Sequence, residues 1–182
     1  MLSVTKAEGP LRTVPRGFPA AGDLPFRHAF NTGNDMHQWM TVRHGPGSSM
    51  DLVPIGMIHS PYLKRGDAPR QGRLSDREAV IEVFPPYADG LQDVEFRPHL
   101  IVLYWLDRSS RDTLKATPPG TGITHGVFAT RSPDRPNPIG FAVADLVKRE
   151  GLQLVVRGLD ALDGTPLLDI KPYSSGTDCV KD

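Results

Sequence analysis

The sequence predicts a mainly β protein: a small antiparallel β-barrel with short helical turns, preceded by an irregular N-terminal extension. Three observations carry this. Eighteen glycines and eighteen prolines among 182 residues imply many short elements joined by turns. Seven short apolar runs, rich in β-branched residues and separated by turn signals, follow one another after residue 51. There is no β-α alternation, no G-x-G-x-x-G after a strand and no G-x-x-x-x-G-K-[ST], which argues against a Rossmann or P-loop nucleotide fold.

Residues 1–49 hold Gly-Pro, Arg-Gly and Gly-Pro-Gly punctuation and no sustained periodicity, and so read as an irregular extension. Within it, "MHQWMTV" (Met36 to Val42) offers Trp39 as a docking residue, and Met50 offers an alternative start that would make the extension upstream sequence. The body is residues 50–182. Its first strand is "LVPIGMIHS", and the next lies in "REAVIEVFP" around Ala79 to Phe84. "ADGLQDVEF" (Ala88 to Phe96) is the expected helical turn. Strands then follow in "HLIVLYWLD" (His99 to Asp107), "HGVFATRS" (His125 to Ser132), "IGFAVADLVKRE" (Ile139 to Glu150), "LQLVVRGLDAL" (Leu152 to Leu162) and "PLLDIKPY" (Pro166 to Tyr173). Arg149-Glu150-Gly151 and Asp163-Gly164 supply turns, the latter read as a hairpin. Short strands at this spacing close into a barrel.

The formal net charge is zero, so no global field points to a polyanion, and any such partner must meet a local patch. Residues 1–49 carry five Lys/Arg against three Asp/Glu, and residues 50–182 carry sixteen against eighteen. No apolar run approaches the roughly 20 residues of a membrane span. The single cysteine, Cys179, cannot form an internal disulfide, which fits a reducing cytoplasm. The six histidines are too scattered for a metal site, and no G-x-S-x-G elbow is present.

Three loops attract attention. "KRGDAPRQGRLSDRE" (Lys64 to Glu78) carries five basic and three acidic residues, and is either an anion-binding loop or a solvated, ion-paired one. In "LDALDGTPLLDIKPY", Asp160, Asp163 and Asp169 punctuate two strands and a turn. In "RSPDRPNPIG" (Arg131 to Gly140), each proline fixes its own φ and biases the preceding Ser132, Arg135 or Asn137 toward extended geometry. Groups on so stiff a frame lose little entropy on binding. Arg131, Arg135 and the Asn137 amide are candidates to meet a ligand, or the prolines merely end two strands.

"IGMIHSPY" (Ile55 to Tyr62), "PRQ" (Pro69 to Gln71), "GVFATRSPDRPNPIG" (Gly126 to Gly140) and "LDALDGTPLLDIKPY" (Leu159 to Tyr173) resemble the blocks of the TsaA-like, or TrmO, family, in family order. The resemblance implies a small β-barrel methyltransferase at residues 50–182. Such an enzyme uses S-adenosylmethionine to N6-methylate threonylcarbamoyladenosine beside the tRNA anticodon. It also implies a homodimer with the cofactor near the subunit interface. Matching motifs put the cofactor at Pro69, Arg70, Gln71, Arg131, Asp160, Ala161, Leu162 and Asp163, together with Asp107 and Arg108, where the bacterial pattern typically has His-Gln. Asp160 or Asp163 would take the acceptor proton, with Tyr173 nearby. Arg70 or Arg131 suits the cofactor carboxylate or a tRNA phosphate.

Longer bacterial relatives continue past the "DIKPY" block, whereas nine residues follow Tyr173 here. tRNA contacts are therefore expected from Arg65, Arg70, Arg73, Arg108 and Arg111, pooled across a dimer, with Arg135 and Asn137 either touching substrate or bracing their loop. Two other readings stand beside this one: a methyltransferase with a small-molecule acceptor, and a non-catalytic S-adenosylmethionine-binding module.

Overall fold

The computed structural model describes residues 41–44 and 48–180. Ten strands occur among them: β1 (Thr41–His44), β2 (Ser48–Asp51), β3 (Gly56–His59), β4 (Glu78–Val83), β5 (His99–Trp105), β6 (Lys115–Ala116), β7 (His125–Gly126), β8 (Ile139–Glu150), β9 (Gln153–Arg157) and β10 (Thr165–Pro172). Six of them close an antiparallel barrel in the order β10-β3-β4-β9-β8-β5, with β5 returning to β10. The predicted fold class is the observed one. In the stretch expected to be irregular, β1 pairs with β2 through Thr41↔Asp51 and His44↔Ser48. Trp39 and the remainder of residues 1–40 lie outside the described residues.

Period-two alternation builds the core. On β4, Ala79, Ile81 and Val83 face inward, and on β5, Leu100, Val102 and Tyr104 do the same. They meet Ile58, Leu154, Val156 and Leu167 from the other strands, all fully buried. Burying one such side chain removes enough apolar surface to contribute about 1.5–3 kcal/mol, so these positions hold the barrel closed. Among the described residues no helix is long and apolar enough to cross a membrane.

The differences from the sequence reading are local and have physical causes. "HGVFATRS" contributes only the two residues of β7; Val127–Ala129 then form a 3-10 turn, and the chain runs irregularly into the proline-rich loop. β9 stops at Arg157 because Gly158 takes a φ of 90°, a left-handed conformation open mainly to glycine. Asp163-Gly164 is a turn with φ 79° at Gly164, yet it is not a hairpin. β3 and β4 stand between β9 and β10 in the barrel, so residues 158–164 must cross the barrel mouth. "ADGLQDVEF" is helical as expected, in two 3-10 segments at Pro85–Leu91 and Val94–Phe96.

Candidate functional site at one barrel mouth

The C-terminal end of β5, the start of β8 and the start of β10 meet at one mouth of the barrel, where a cavity of about 660 Å³ opens. Tyr104, Leu106, Ile139, Gly140, Phe141 and Thr165 come from the strand ends and their flanks. The polar wall comes from loops far apart in sequence: Pro69, Arg70 and Gln71; Asp107 and Arg108; Arg131 and Arg135; Asp160 and Leu162. A second cavity, of about 700 Å³, lies at the opposite end around Leu91, Leu100 and Ile170, and none of the predicted site residues lines it.

Four interactions hold the loops in place. Arg65 forms a bidentate pair with Asp134 (Nη2–Oδ1 2.5 Å, Nη1–Oδ2 3.2 Å), and the Ser110 N–H donates to the same carboxylate at 2.8 Å. Arg70 donates to the Pro119 carbonyl at 2.6 Å. Arg108 donates to the Asp163 carbonyl at 2.7 Å and the Leu63 carbonyl at 3.4 Å, which places Asp107-Arg108 at the junction of three loops. Arg135 folds back on its own loop, donating to the carbonyls of Ser132 at 2.8 Å and Thr130 at 2.6 Å. Arg135 therefore braces the proline-rich frame, whereas Arg131 is exposed at the cavity wall with no ion pair among the described residues.

The two aspartates nominated for catalysis separate here. Asp160 lines the cavity and accepts a hydrogen bond from the Tyr104 hydroxyl at 2.5 Å. Burial, reinforced by the charge of Asp160, pushes the Tyr104 phenol far above its ordinary range, so it remains a donor. Asp163 instead turns its carboxylate to the Ser60 N–H at 3.1 Å, with His59 at 3.9 Å, and Ala161 is buried with its carbonyl accepting from the Ser60 hydroxyl at 2.7 Å. These two positions fix the loop rather than line the cavity.

Four other nominated residues lie off the cavity wall. Tyr173 packs edge-on against His99, ring centroids 6.1 Å apart, at the opposite end of β5. Tyr104 lies five positions along β5 from His99, roughly 16 Å of strand, so Tyr173 does not meet Asp160 within one chain. Arg73 pairs with Asp145 at 3.1 Å beside the same His99. Arg111 stacks over the Trp105 ring at 5.1 Å. Asn137 is exposed beside the proline frame and outside the cavity wall. The residues missed in the sequence are Tyr104, Gly140 and Phe141, which read there as ordinary members of barrel strands, and Thr165, which reads as part of the turn before the last strand.

The Arg65 pair holds the Asp134 carboxyl below the usual carboxylate range, its guanidinium hydrogen bond being the main cause and the Ser110 N–H a lesser one. A lowered folded pKa means stabilisation that is present above the unfolded value of about 3.9 and lost as pH falls through the folded value. Arg65 is more than half exposed, so the pair contributes under about 1 kcal/mol. Asp134→Asn should unfold a few degrees below the wild type at pH 7, and in thermal melts the gap should begin to narrow near pH 4 and go on narrowing as the pH falls through the lowered folded value. A gap that does not narrow as the pH is taken below 4 contradicts the pairing.

A closed antiparallel barrel whose mouth joins an apolar floor to an arginine-rich rim and one buried-anchored carboxylate defines a small ligand-binding β-barrel domain. The family model described as the tRNA-methyltransferase O N-terminal domain matches residues 57–179, and the chain belongs to that family. A "Probable S-adenosyl-L-methionine-binding protein" of Archaeoglobus fulgidus is 59% identical over 72% of this chain and 36% of its own length. An "S-adenosyl-L-methionine-binding protein" of the same organism is 54% identical over 72% of this chain and 94% of its own. The "tRNA (adenine(37)-N6)-methyltransferase" of Escherichia coli is 36% identical over 69% of this chain and 58% of its own. The crystal structure of TrmO from Pseudomonas aeruginosa superposes with a TM-score of 0.63 at 34% identity, covering 76% of this chain and 61% of that one. The chain thus spans little more than a third of one relative and nearly all of another.

Proposed function

We propose that this protein is an S-adenosylmethionine-dependent methyltransferase whose acceptor is a modified adenosine of tRNA, threonylcarbamoyladenosine beside the anticodon. One observation carries the reading: the "PRQ", "RSPDRPNPIG" and "LDALDG" blocks, separated by tens of residues, meet at one cavity. Their chemistry fits the cofactor. Asp160 suits a ribose diol or an ammonium group, Arg70 and Arg131 suit a carboxylate, and Tyr104, Leu106 and Phe141 give apolar faces for a purine. A cavity of about 660 Å³ is of the right order for a ligand of that size.

Bound S-adenosylmethionine supplies an electrophilic methyl group on its sulfonium. The protein's own work is alignment and exclusion of water, for which loops tied by Arg65–Asp134, Arg70–Pro119 and Arg108–Asp163 are suited. Of the two nominated carboxylates Asp160 is the one at the cavity, and its Oδ2, which keeps a lone pair when it accepts one cofactor hydrogen bond, is our candidate to take the proton that the acceptor nitrogen loses. Five arginines line the cavity against two aspartates, and this local excess is the feature that favours a phosphate-bearing substrate on a chain of zero net charge. The outer face of β8 leaves Ile139 and Phe141 about half exposed beside the cavity, which supports a homodimer packed on that face.

A small-molecule acceptor is the second reading, favoured by the pairing of Arg73 with Asp145 beside His99, which takes one of the nominated tRNA contacts away from the mouth. The test is incubation with methyl-labelled S-adenosylmethionine and total tRNA from cells lacking the endogenous methylation. Label in tRNA is expected. Label only in small acceptors supports the second reading, and tight binding with no transfer makes the protein a binding module.

A further inference from the structure

The one hydrogen-bond donor to Asp160 among the described residues is Tyr104, a tyrosine of β5. Tyr104 lies on the inner face of β5 and is 3% exposed. Across the ladder on one side it faces Gly140 of β8, and on the other Leu167 of β10. A Cβ on residue 140 would stand 2.1 Å from Cε2 of the Tyr104 ring. The ring therefore occupies the space that a side chain at 140 would fill, and it stays there because β8 offers bare backbone. The hydroxyl emerges from this seat into the cavity and donates to Asp160 Oδ1 at 2.5 Å. Oδ2 has no protein partner among the described residues.

Asp160 needs such a partner. It sits on a mouth-crossing loop rather than on a strand, between Leu159 and Ala161, both buried. Loop carboxylates have several rotamers, and fixing one in advance reduces the entropy lost when a ligand binds. We propose that Tyr104 is the positioning residue of the site: its fixed hydroxyl holds Oδ1 of Asp160, so that Oδ2 is presented to a hydroxyl or ammonium donor of the bound cofactor. This rests on the reading of the cavity as the S-adenosylmethionine site, and it adds a residue that touches the ligand's partner rather than the methyl group.

The test is a double-mutant cycle read by titration calorimetry with S-adenosylmethionine on the full chain, using Tyr104→Phe, Asp160→Asn and the pair, with thermal melts to verify folding. Phenylalanine keeps the ring on Gly140 and removes only the hydroxyl. Tyr104→Phe should weaken binding about tenfold, the order expected for one hydrogen bond to a charged group. Asp160→Asn should weaken it at least as much, and the double variant no further than Asp160→Asn alone. An equal loss from Tyr104→Phe in both backgrounds means a merely structural role and overturns the inference. So does wild-type affinity in Tyr104→Phe when Asp160→Asn is impaired, while the cavity assignment then survives. Wild-type affinity in Asp160→Asn overturns both. A tyrosine donor that acts through Asp160 predicts one further result. Titration with 5′-methylthioadenosine, which lacks the amino acid part, should show the same non-additivity if Oδ2 meets the ribose diol. It should show no effect of either variant if Oδ2 meets the ammonium.

Discussion

Gly72→Ala is expected to lower cofactor affinity and turnover by about 100-fold and to destabilise the protein by about 1–3 kcal/mol. Gly72 follows the "PRQ" segment and opens the 3-10 turn Gly72–Leu74. A Cβ there would lie 1.9 Å from the Gly158 carbonyl oxygen and 2.5 Å from its carbon, both backbone atoms. Gly158 cannot yield easily, since its φ of 90° already uses a conformation that other residues avoid. The turn must therefore move outward by about an ångström, and the adjoining Pro69, Arg70 and Gln71 move with it, away from Asp160 and Arg131. Misplacement of that size is enough for a loss of about two orders of magnitude in a reaction that depends on alignment. Calorimetry with S-adenosylmethionine and a thermal melt read the two effects separately; normal affinity in a folded Gly72→Ala variant contradicts the placement of this loop at the site.

Asp160→Asn should lower methyl transfer at saturating cofactor by about 10²–10⁴-fold, the range for loss of a general base. The amide oxygen can still accept from Tyr104, so the fold should survive. Asp163→Asn is the control. Its amide oxygen can still accept the Ser60 N–H that Asp163 holds at 3.1 Å, and turnover should stay within a few-fold of wild type. Equal and severe losses in both variants would return Asp163 to the chemistry, and full turnover in Asp160→Asn would remove Asp160 from it.

The strands were legible where alternation reports burial. β8 spans Ile139–Glu150 and β5 begins at His99, as the apolar pattern of each requires. The pattern failed where a glycine or a turn ended pairing inside an apolar run, as at Gly158 and across Val127–Ala129. For the site, residue type identified the carboxylates and guanidiniums but not their partners. Arg73 and Asp145 are 72 positions apart, and no spacing rule foretells that they pair. Arg65 reads as an available cation and is committed to Asp134. Tyr104 was invisible for the opposite reason, because an aromatic at an inward position of a strand looks like core, and only closure of the barrel brings its hydroxyl to Asp160. Family motifs named Asp160 and Asp163 alike; the crossing of residues 158–164 over the mouth is what turns one inward and the other toward Ser60.

The most direct test is a crystal structure of the full chain with S-adenosylhomocysteine, the product that keeps the adenosine and amino acid groups of the cofactor. The expected result is ligand density in the cavity between Gln71, Arg131 and Asp160, with Asp160 Oδ1 still on the Tyr104 hydroxyl. Ligand bound instead at the opposite mouth beside Leu91 and Ile170, or none bound at saturating concentration, would contradict the assignment of this cavity as the methyl-transfer site.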